Sequence, residues 1–479
     1  MKPEILEEAL GHISQKHIAS ATAKKKSSLI WLGPVAAILV LAILLGTLVP
    51  PGTTQAPQET GILSSNRQLA APVYPKMAAY PMDEFSDSFY DQYDAWYSGQ
   101  KAQYNQPKNY AAGTEVFFEK LLSALLTQGE GKNLACSPLN IYMALAMLTE
   151  TTAGQSRDEL LQALGADSIE ALRTQAGHVW NAHYCADDAT STVLANSLWL
   201  TEGVAYDPST VSTLANRYYA SVFQGKLGSQ EMNEALQSWI NEQTGGLLEE
   251  QTKNLEMDPE AVLALASTIY YRCKWNNAFW ETENTQGIFH GAQGNQEVTF
   301  MNTSLMYGPY LWGDDYGATC VALEDGSAMW LILPDADSSL EAVLESGEFW
   351  KNISGYAGQE SHNAKRIMVN LSLPKFDIQS QLDLKDSLEQ IGISQVFGMG
   401  ADFSAIMPHE PAFLGQAEHA ARVAIDEEGI TAAAYTVMIE CGAGMPVGEE
   451  VDMILDRPFL FVIQSRDNLP LFAGIVNQP

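Results

Sequence analysis

The stretch of sequence that decides the fold is EEGITAAAYTVMIECGAGMPVG, residues 427–448. No charged residue interrupts it between Glu428 and Glu440. The composition of its first half is typical of a β-strand. In a strand every second side chain points to the same side, and one side would carry Ile430, Ala432, Ala434, Thr436 and Met438. Small side chains near Gly429 let such a strand slip between two others without a clash. The second half, rich in glycine, is typical of an exposed loop that proteases cut.

The composition excludes several functions. The chain has 479 residues, enough for a sizeable core and, by length alone, for about three domains. Its 26 Lys and Arg stand against 58 Asp and Glu, which gives a formal net charge of −32. Such a charge repels phosphate backbones, so we expect no nucleic-acid partner.

Signatures of enzymes and metal sites are missing. The sequence has no GxSxG, HExxH or GxxxxGK[ST] motif, and GMGADF at Gly398 lacks the third glycine of a dinucleotide loop. His178, His183 and Cys185 could share one helical face, but no fourth ligand is near, and a solvated helix surface explains them as well. The cysteines are widely separated, without a CxxC pair, and favour isolated thiols over a disulfide framework: Cys136, Cys185, Cys273, Cys320 and Cys441. We therefore expect no enzyme, no cofactor and no metal.

The N-terminal part predicts a membrane anchor. Residues 28–49 are consecutively uncharged and mostly apolar, about the length of a membrane-spanning helix. Lys24, Lys25 and Lys26 precede them and no Lys or Arg follows until Arg67, which places residues 1–27 in the cytoplasm and the rest outside the cell. A cleaved signal peptide is the alternative, although the leader is long and lacks a clear small-x-small site.

Beyond the anchor, the sequence predicts a linker and one domain. Residues 50–109 are rich in Pro, Gln and Tyr and resemble an extended linker. Residues 110–479 mix strand-like and helix-like periods without an internal repeat, which favours a single α+β domain. Helical spacing covers residues 114–126, and a second helix follows Ser137, an N-cap residue before a proline.

Six motifs in this domain resemble those of the serpins, the serine protease inhibitor family, in the family's order. They are NLACSPLNIYMALAML from Asn133, STIYYRCKWNNAF from Ser267, LPKFDI from Leu373, GADFSAI from Gly400, DEEGITAAAYT from Asp426, and DRPFLFVI with PLFAGIVNQP from Asp456 to Pro479. The resemblance implies the serpin fold, with three β-sheets, about nine helices and an exposed reactive-centre loop at about 427–450.

The resemblance also implies a mechanism of inhibition. A serine protease would attack the loop and form an acyl-enzyme, and the cleaved loop would then insert as a strand into the central sheet and trap the protease. A non-inhibitory serpin that acts as a surface binding or carrier protein is the alternative, and an adhesive protein that uses its Tyr-rich linker is a third. The alanine run favours inhibition, because non-inhibitory members often carry bulky or charged hinge residues.

Single residues can be assigned from the same resemblance. The hinge of the loop comprises Glu427, Glu428, Gly429, Ile430, Thr431, Ala432, Ala433 and Ala434. The region where the sheet opens comprises Asn133, Ser137, Asn140, Ser267, Trp275 and His419. Asn140 and Ser267 exchange the residue types that the family usually has at these two positions, so we expect a hydrogen-bonded network with exchanged partners. Ile430 replaces the usual Thr, Ser or Val and should slow insertion.

The scissile bond is predicted only within a range. The usual hinge spacing places it at Ala443–Gly444, whereas counting back from DRPF moves it toward Val447, because the segment is about four residues longer than is common in the family. No Arg or Lys lies between Glu427 and Glu450, so the target should be a serine protease with a small primary pocket, similar to elastases or subtilisins. The anchor and the few disulfide prospects fit a bacterial cell surface better than a eukaryotic secretory route.

Overall fold

A computed structural model describes residues 67–81, 88–129, 131–187, 189–277, 279–357, 363–409, 411–415, 417–430 and 449–479. The predicted membrane helix at 28–49, Thr431 to Ala434 of the hinge, Cys441 and the predicted scissile bond at Ala443–Gly444 lie outside these residues. Within the described part of the chain, no helix is both long and apolar enough to span a bilayer.

Eleven α-helices occur in the described residues, close to the number expected from the family. Their bounds are α1 Phe89–Tyr104, α2 Glu115–Leu126, α3 Pro138–Thr151, α4 Gly154–Ala163, α5 Ile169–His183, α6 Pro208–Arg217, α7 Gln230–Gln243, α8 Glu249–Thr252, α9 Leu340–Ser346, α10 Glu348–Ala357 and α11 Lys385–Gln390. Helix α3 begins as its sequence predicts, because the Ser137 hydroxyl accepts a hydrogen bond from the Asn140 N–H and Pro138 occupies the first turn.

The strands are numbered in chain order. They are β1 Gln68–Ala70, β2 Leu134–Cys136, β3 Cys185–Ala186, β4 Ser191–Thr201, β5 Ala220–Gly225, β6 Leu263–Lys274, β7 Thr285–Gly291, β8 Gly294–Trp312, β9 Tyr316–Ala322, β10 Ala328–Pro334, β11 Ala364–Pro374, β12 Phe376–Asp383, β13 Glu418–Ile425, β14 Gly429–Ile430, β15 Glu450–Ile454, β16 Phe459–Gln464 and β17 Pro470–Val476.

These strands form two hydrogen-bonded sheets in the described residues, where three were expected. The first, which we call the large sheet, has the order β1-β5-β4-β6-β14-β13-β12, with β3 beside β4. The second has the order β15-β11-β8-β9-β10-β16-β17-β2, with β7 beside β8. The two smaller sheets expected from the family are joined here because β8, 19 residues long, pairs with β7 and β11 and, at its far end, with β9.

The core lies between the two sheets and the helices that cover them. Ten of the eleven residues of β4 are buried, and apolar side chains of both strand parities are among them. This burial is what the apolar residues of both parities in its sequence predict, a strand in a sheet that is covered on both faces. Strand β6 beside it is only half-buried over much of its length, because its other neighbour in the sheet is the two-residue β14.

Residues assigned to the linker take part in the fold. Strand β1 extends the large sheet at its edge by pairing with β5, and α1 occupies much of residues 88–109. Tyr74 stacks on Trp180 and Tyr184, with ring centroids 5.5 and 5.6 Å apart. The Trp96 indole N–H donates to an Asp187 carboxylate oxygen over 2.8 Å. The tyrosines of this segment have no single period because some lie in a loop and others in α1.

Candidate functional site at the opening of the large sheet

The chain reverses direction between β13 and β14 in a tight turn. The Asp426 N–H donates to the Gly429 carbonyl over 3.1 Å, and one Asp426 carboxylate oxygen accepts from the N–H groups of Glu428 and Gly429 at 2.9 and 3.2 Å. An aspartate that accepts from N–H groups two and three residues further along the chain is a common way to fix such a turn. The turn directs the chain that follows it back along β13.

Gly429 and Ile430 occupy the gap between β6 and β13. Gly429 pairs with Lys274, and Ile430 pairs with Cys273 on one side and Ile425 on the other. A Cβ atom on Gly429 would lie 2.3 Å from the Cys273 carbonyl oxygen, so only glycine fits here. Ile430 is already 98% buried, so its side chain has entered the sheet.

Trp275 closes the upper end of this gap. Its indole N–H donates to the Asp426 carbonyl over 2.8 Å, and its backbone N–H donates to the Glu428 carbonyl over 3.0 Å. The ring is buried and meets Phe279 edge to face, with centroids 5.8 Å apart. The tryptophan at the end of β6 therefore binds the backbone of the turn at two points.

Glu427 is a buried carboxylate held by two partners. One of its oxygens accepts hydrogen bonds from the Lys375 ammonium at 2.5 Å and from the Asn284 side-chain amide. Burial alone would raise the pKa of Glu427, but the bonds from Lys375 and Asn284 outweigh it and hold that pKa below the usual value. Glu427 therefore remains charged and ties the turn to the start of β12.

A polar cluster lies beneath the sheet at a lower level of the gap. The Ser267 hydroxyl, on β6, lies 2.5 Å from the Asn140 side-chain oxygen and 2.7 Å from that of Asn196. Its single hydrogen can serve one of the two acceptors at a time. The structure thus brings Asn140 and Ser267, the two positions with exchanged residue types, into direct contact.

The start of α3 connects this cluster to β13. The Ser137 N–H donates to the His419 imidazole, at 2.9 Å from its Nε2, while the Ser137 hydroxyl donates to the Leu471 carbonyl over 2.6 Å. Burial lowers the pKa of His419 to about 4, so this ring is neutral at physiological pH and Nε2 acts as the acceptor. A chain of polar contacts therefore runs from β13 through α3 to β6, below the gap.

One residue assigned to this region lies elsewhere. Asn133 donates to the Gln478 carbonyl over 2.6 Å and accepts from the N–H groups of Asn477 and Gln478, which fixes the end of β17. The motif that begins at Asn133 extends from the neighbourhood of Gln478 to the polar cluster at Asn140. Belonging to the motif therefore does not say where a given side chain lies. Residues missed by sequence reasoning are Asn284, Asn196 and Lys375. Of these, only Lys375 lies within one of the quoted family motifs.

The candidate metal ligands do not converge. The His178 ring binds the Gln106 side chain at 2.7 Å, and the His183 ring binds the Val179 carbonyl at 2.7 Å within its own helix. No group of three His, Cys, Asp or Glu side chains in the described residues is placed to hold a metal ion. Cys136, Cys185, Cys273 and Cys320 are free thiols, and burial raises the pKa of Cys136 to about 12.

Comparisons with known proteins agree with this geometry. The model of the family described as Serpin (serine protease inhibitor) matches residues 112–479. An alpha-1-antitrypsin from Meriones unguiculatus is 29% identical over 75% of this chain and 87% of its own length. Serpin-Z2B from Oryza sativa subsp. japonica is 26% identical over 77% and 97%. These relatives are from a rodent and a plant and lend no support to a bacterial origin.

Solved structures show the same fold. The native state of the thermophilic serpin tengpin has a TM-score of 0.69 at 24% identity and covers 78% of this chain and 95% of its own. Human thyroxine-binding globulin has a TM-score of 0.68 at 19% identity and covers 77% and 99%. With the family model over most of the chain, the conclusion is direct: this chain belongs to the serpins, a family of protease inhibitors and not of enzymes.

Proposed function

We propose that the protein inhibits extracellular serine proteases as a suicide substrate. The observation that carries the proposal is Ile430, which pairs with strands on both sides of the gap and begins a strand there. In the described residues, β14 is the only strand that links β6 to β13. A cleaved loop that continued from Ile430 would fill this position and add the hydrogen bonds and burial of a central strand.

The chemistry requires a trapped ester. The target's serine hydroxyl attacks the Ala443 carbonyl, the Ala443–Gly444 bond breaks, and the new amine of Gly444 leaves with a proton while an ester joins Ala443 to the protease. Residues 429–443 are 14 steps apart, about 46 Å at ~3.3 Å per residue in a strand. Insertion of that length carries the bound protease to the other end of the sheet before water can cleave the ester.

The targets and the location form part of the same proposal. Small residues around the scissile bond fit elastase-like or subtilisin-like proteases, which have small primary pockets. The apolar segment 28–49 would tether the inhibitor to a membrane with its C-terminal domain outside the cell.

The test is a covalent complex. We expect the full chain, incubated with neutrophil-type elastase or with subtilisin, to give a band on a denaturing gel at the summed mass of the two proteins less the peptide released beyond Ala443. Mass spectrometry should show that the released peptide begins at Gly444. Clean cleavage of the loop without a covalent band would rule out trapping and favour the alternative, a non-inhibitory binding or carrier serpin.

A pair of hinge variants supplies the control. Ala434→Arg should leave cleavage intact but abolish the covalent band, because a guanidinium on the inward side of the inserted strand opposes burial. Ala434→Ser adds only a small hydroxyl and should retain the band. Equal trapping by both variants would contradict insertion past residue 434.

A further inference from the structure

A short segment crosses the gap on the outer face of the large sheet. Residues 244–248, which we call the strap, join α7 to α8. The N–H groups of Thr244, Gly245 and Gly246 donate back to α7, as in the bond from the Gly246 N–H to the Asn241 carbonyl, and the Leu247 N–H donates to Thr244 within the strap. Gly245 lies over Tyr270 of β6, since a Cβ built on it would be 3.6 Å from that ring. Leu247 reaches the opposite side of the gap, where it meets Arg422 of β13.

Arg422 binds the strap and the sheet together. Its Nη1 donates to the Leu247 carbonyl over 3.2 Å, while Nε and Nη2 donate to the two oxygens of Asp377 on β12 at 2.8 and 2.6 Å. The paired contacts to the carboxylate hold the planar guanidinium in one orientation, which directs its third donor at the strap. Arg422 thus fastens the strap to the β13 side of the gap.

Open space surrounds this fastening. A cavity of about 720 Å³ is lined by Leu247, Tyr270, Arg272, Arg422 and Ala424 among others. A second cavity of about 480 Å³ is lined by Gly246, Leu247, Asp377 and Arg422 among others. Arg422 and Leu247 line both cavities. The hydrogen bond between them therefore lies in a loosely packed part of the protein.

The gap must widen before a strand can fill it. Two strands with a third between them lie about 9.6 Å apart, twice the usual spacing. Some Cα atoms of β6 and β13 lie within 8 Å of each other. Because the strap lies beside Tyr270 on one strand and is bound by Arg422 on the other, widening the gap strains the hydrogen bond between Arg422 and Leu247.

We infer that Arg422 is a latch that slows the insertion of the loop by holding the strap across the gap. This inference rests on the proposed function, since it concerns the rate of the insertion proposed there. During insertion the hydrogen bond from Arg422 to the Leu247 carbonyl breaks first, because the cavities beside it leave it loosely packed. Arg422 acts through the strap and has no contact with a protease, so it is a positioning residue.

The test compares Arg422→Gln with the wild-type chain. The loop is cut by a cysteine protease, which leaves no stable ester, and insertion is followed as the time course of the gain in thermal stability. We expect insertion to be about tenfold faster in the variant, as for the loss of one charge-assisted hydrogen bond from the ground state. Hydrogen exchange of the amides at 244–248 should also be faster in the uncut variant, which reports on the strap alone.

Two further variants separate a latch from a general loss of stability. Arg422→Lys keeps the charge but cannot bind Asp377 and Leu247 with one rigid fork, so its insertion rate should lie between the other two. Lys351→Gln removes an exposed cation that pairs with Glu119 far along the chain, and its rate should equal that of the wild type.

The outcomes are distinct. Equal or slower insertion in Arg422→Gln, when the wild-type chain itself inserts, overturns the latch and leaves the proposed function intact. If the wild-type chain neither forms a covalent complex nor gains stability after the cut, the proposed function fails, and the latch fails with it because there is no insertion to retard.

Discussion

His419 is a buried base in the chain of polar contacts below the gap. It should make the free energy of unfolding depend on pH. Burial lowers its pKa to about 4 in the folded protein, against 6.5 for an unperturbed histidine. Between these values the unfolded chain binds a proton that the folded chain does not, so stability falls as the pH drops from 6.5 to 4. The loss from this residue is on the order of 3 kcal/mol. Chemical denaturation across this range should reveal it.

The matched variant for this prediction is His419→Gln, whose side-chain oxygen can still accept from the Ser137 N–H. We expect the variant to be less stable at pH 7 but to lose less stability between pH 6.5 and 4 than the wild-type chain. Parallel curves for the two proteins over that range would show that another group carries the acid sensitivity.

Among the elements, the N-terminal segment that contains β1 makes a measurable contribution to stability. Tyr74 is enclosed by the rings of Trp180, Tyr184 and Tyr219, and burial raises the pKa of its hydroxyl. Tyr74→Ala should lower the free energy of unfolding by about 2 kcal/mol, less than for a fully buried aromatic side chain because Tyr74 is only partly buried. Val73→Ala is the control, because Val73 is 86% exposed and should change little. Equal effects would mean that the ring stack adds no stability.

Local sequence patterns predicted the positions of two helices better than they predicted which strands pair. Helical spacing at 114–126 and the Ser137 cap predicted α2 and α3 closely, because both signals are local. The run IMVNLSLPKFDI, residues 367–378, has a strand-like composition throughout, but the structure divides it between two strands, β11 and β12, on either side of Lys375. The two strands belong to different sheets, and the periodicity of a single run does not encode which partners it meets.

The candidate site was predictable to a similar extent. The turn at Gly429 and the burial of Ile430 agree with the small residues and the alternation that follow them in the sequence. The partners of Glu427 were not predicted, because Asn284 is 143 residues away along the chain and carries no local signal. Asn133 was assigned to the sheet-opening region by its motif, and its side chain binds Asn477 and Gln478, which lie 344 and 345 residues away along the chain.

For the whole molecule, cleavage of the loop should increase stability although it breaks a covalent bond. A strand added between β6 and β13 supplies hydrogen bonds along both neighbours, each worth about 1 kcal/mol. We expect the thermal midpoint of the cut wild-type chain to rise by at least about 10 °C. The cut Ala434→Arg variant should show no comparable rise. An unchanged midpoint in the cut wild-type chain would mean that the gap stays unfilled.

The pairing of β2 with β17 constrains the order in which the chain can be assembled. Residues 134–136 form their sheet partners with residues 473–475, and Asn133 binds Gln478, 345 positions later. A polypeptide that leaves the ribosome from its N-terminus cannot make these contacts until β17 and Gln478 have emerged. Until then the apolar residues of β2 have no partner strand on that side, which leaves this edge open to aggregation during synthesis.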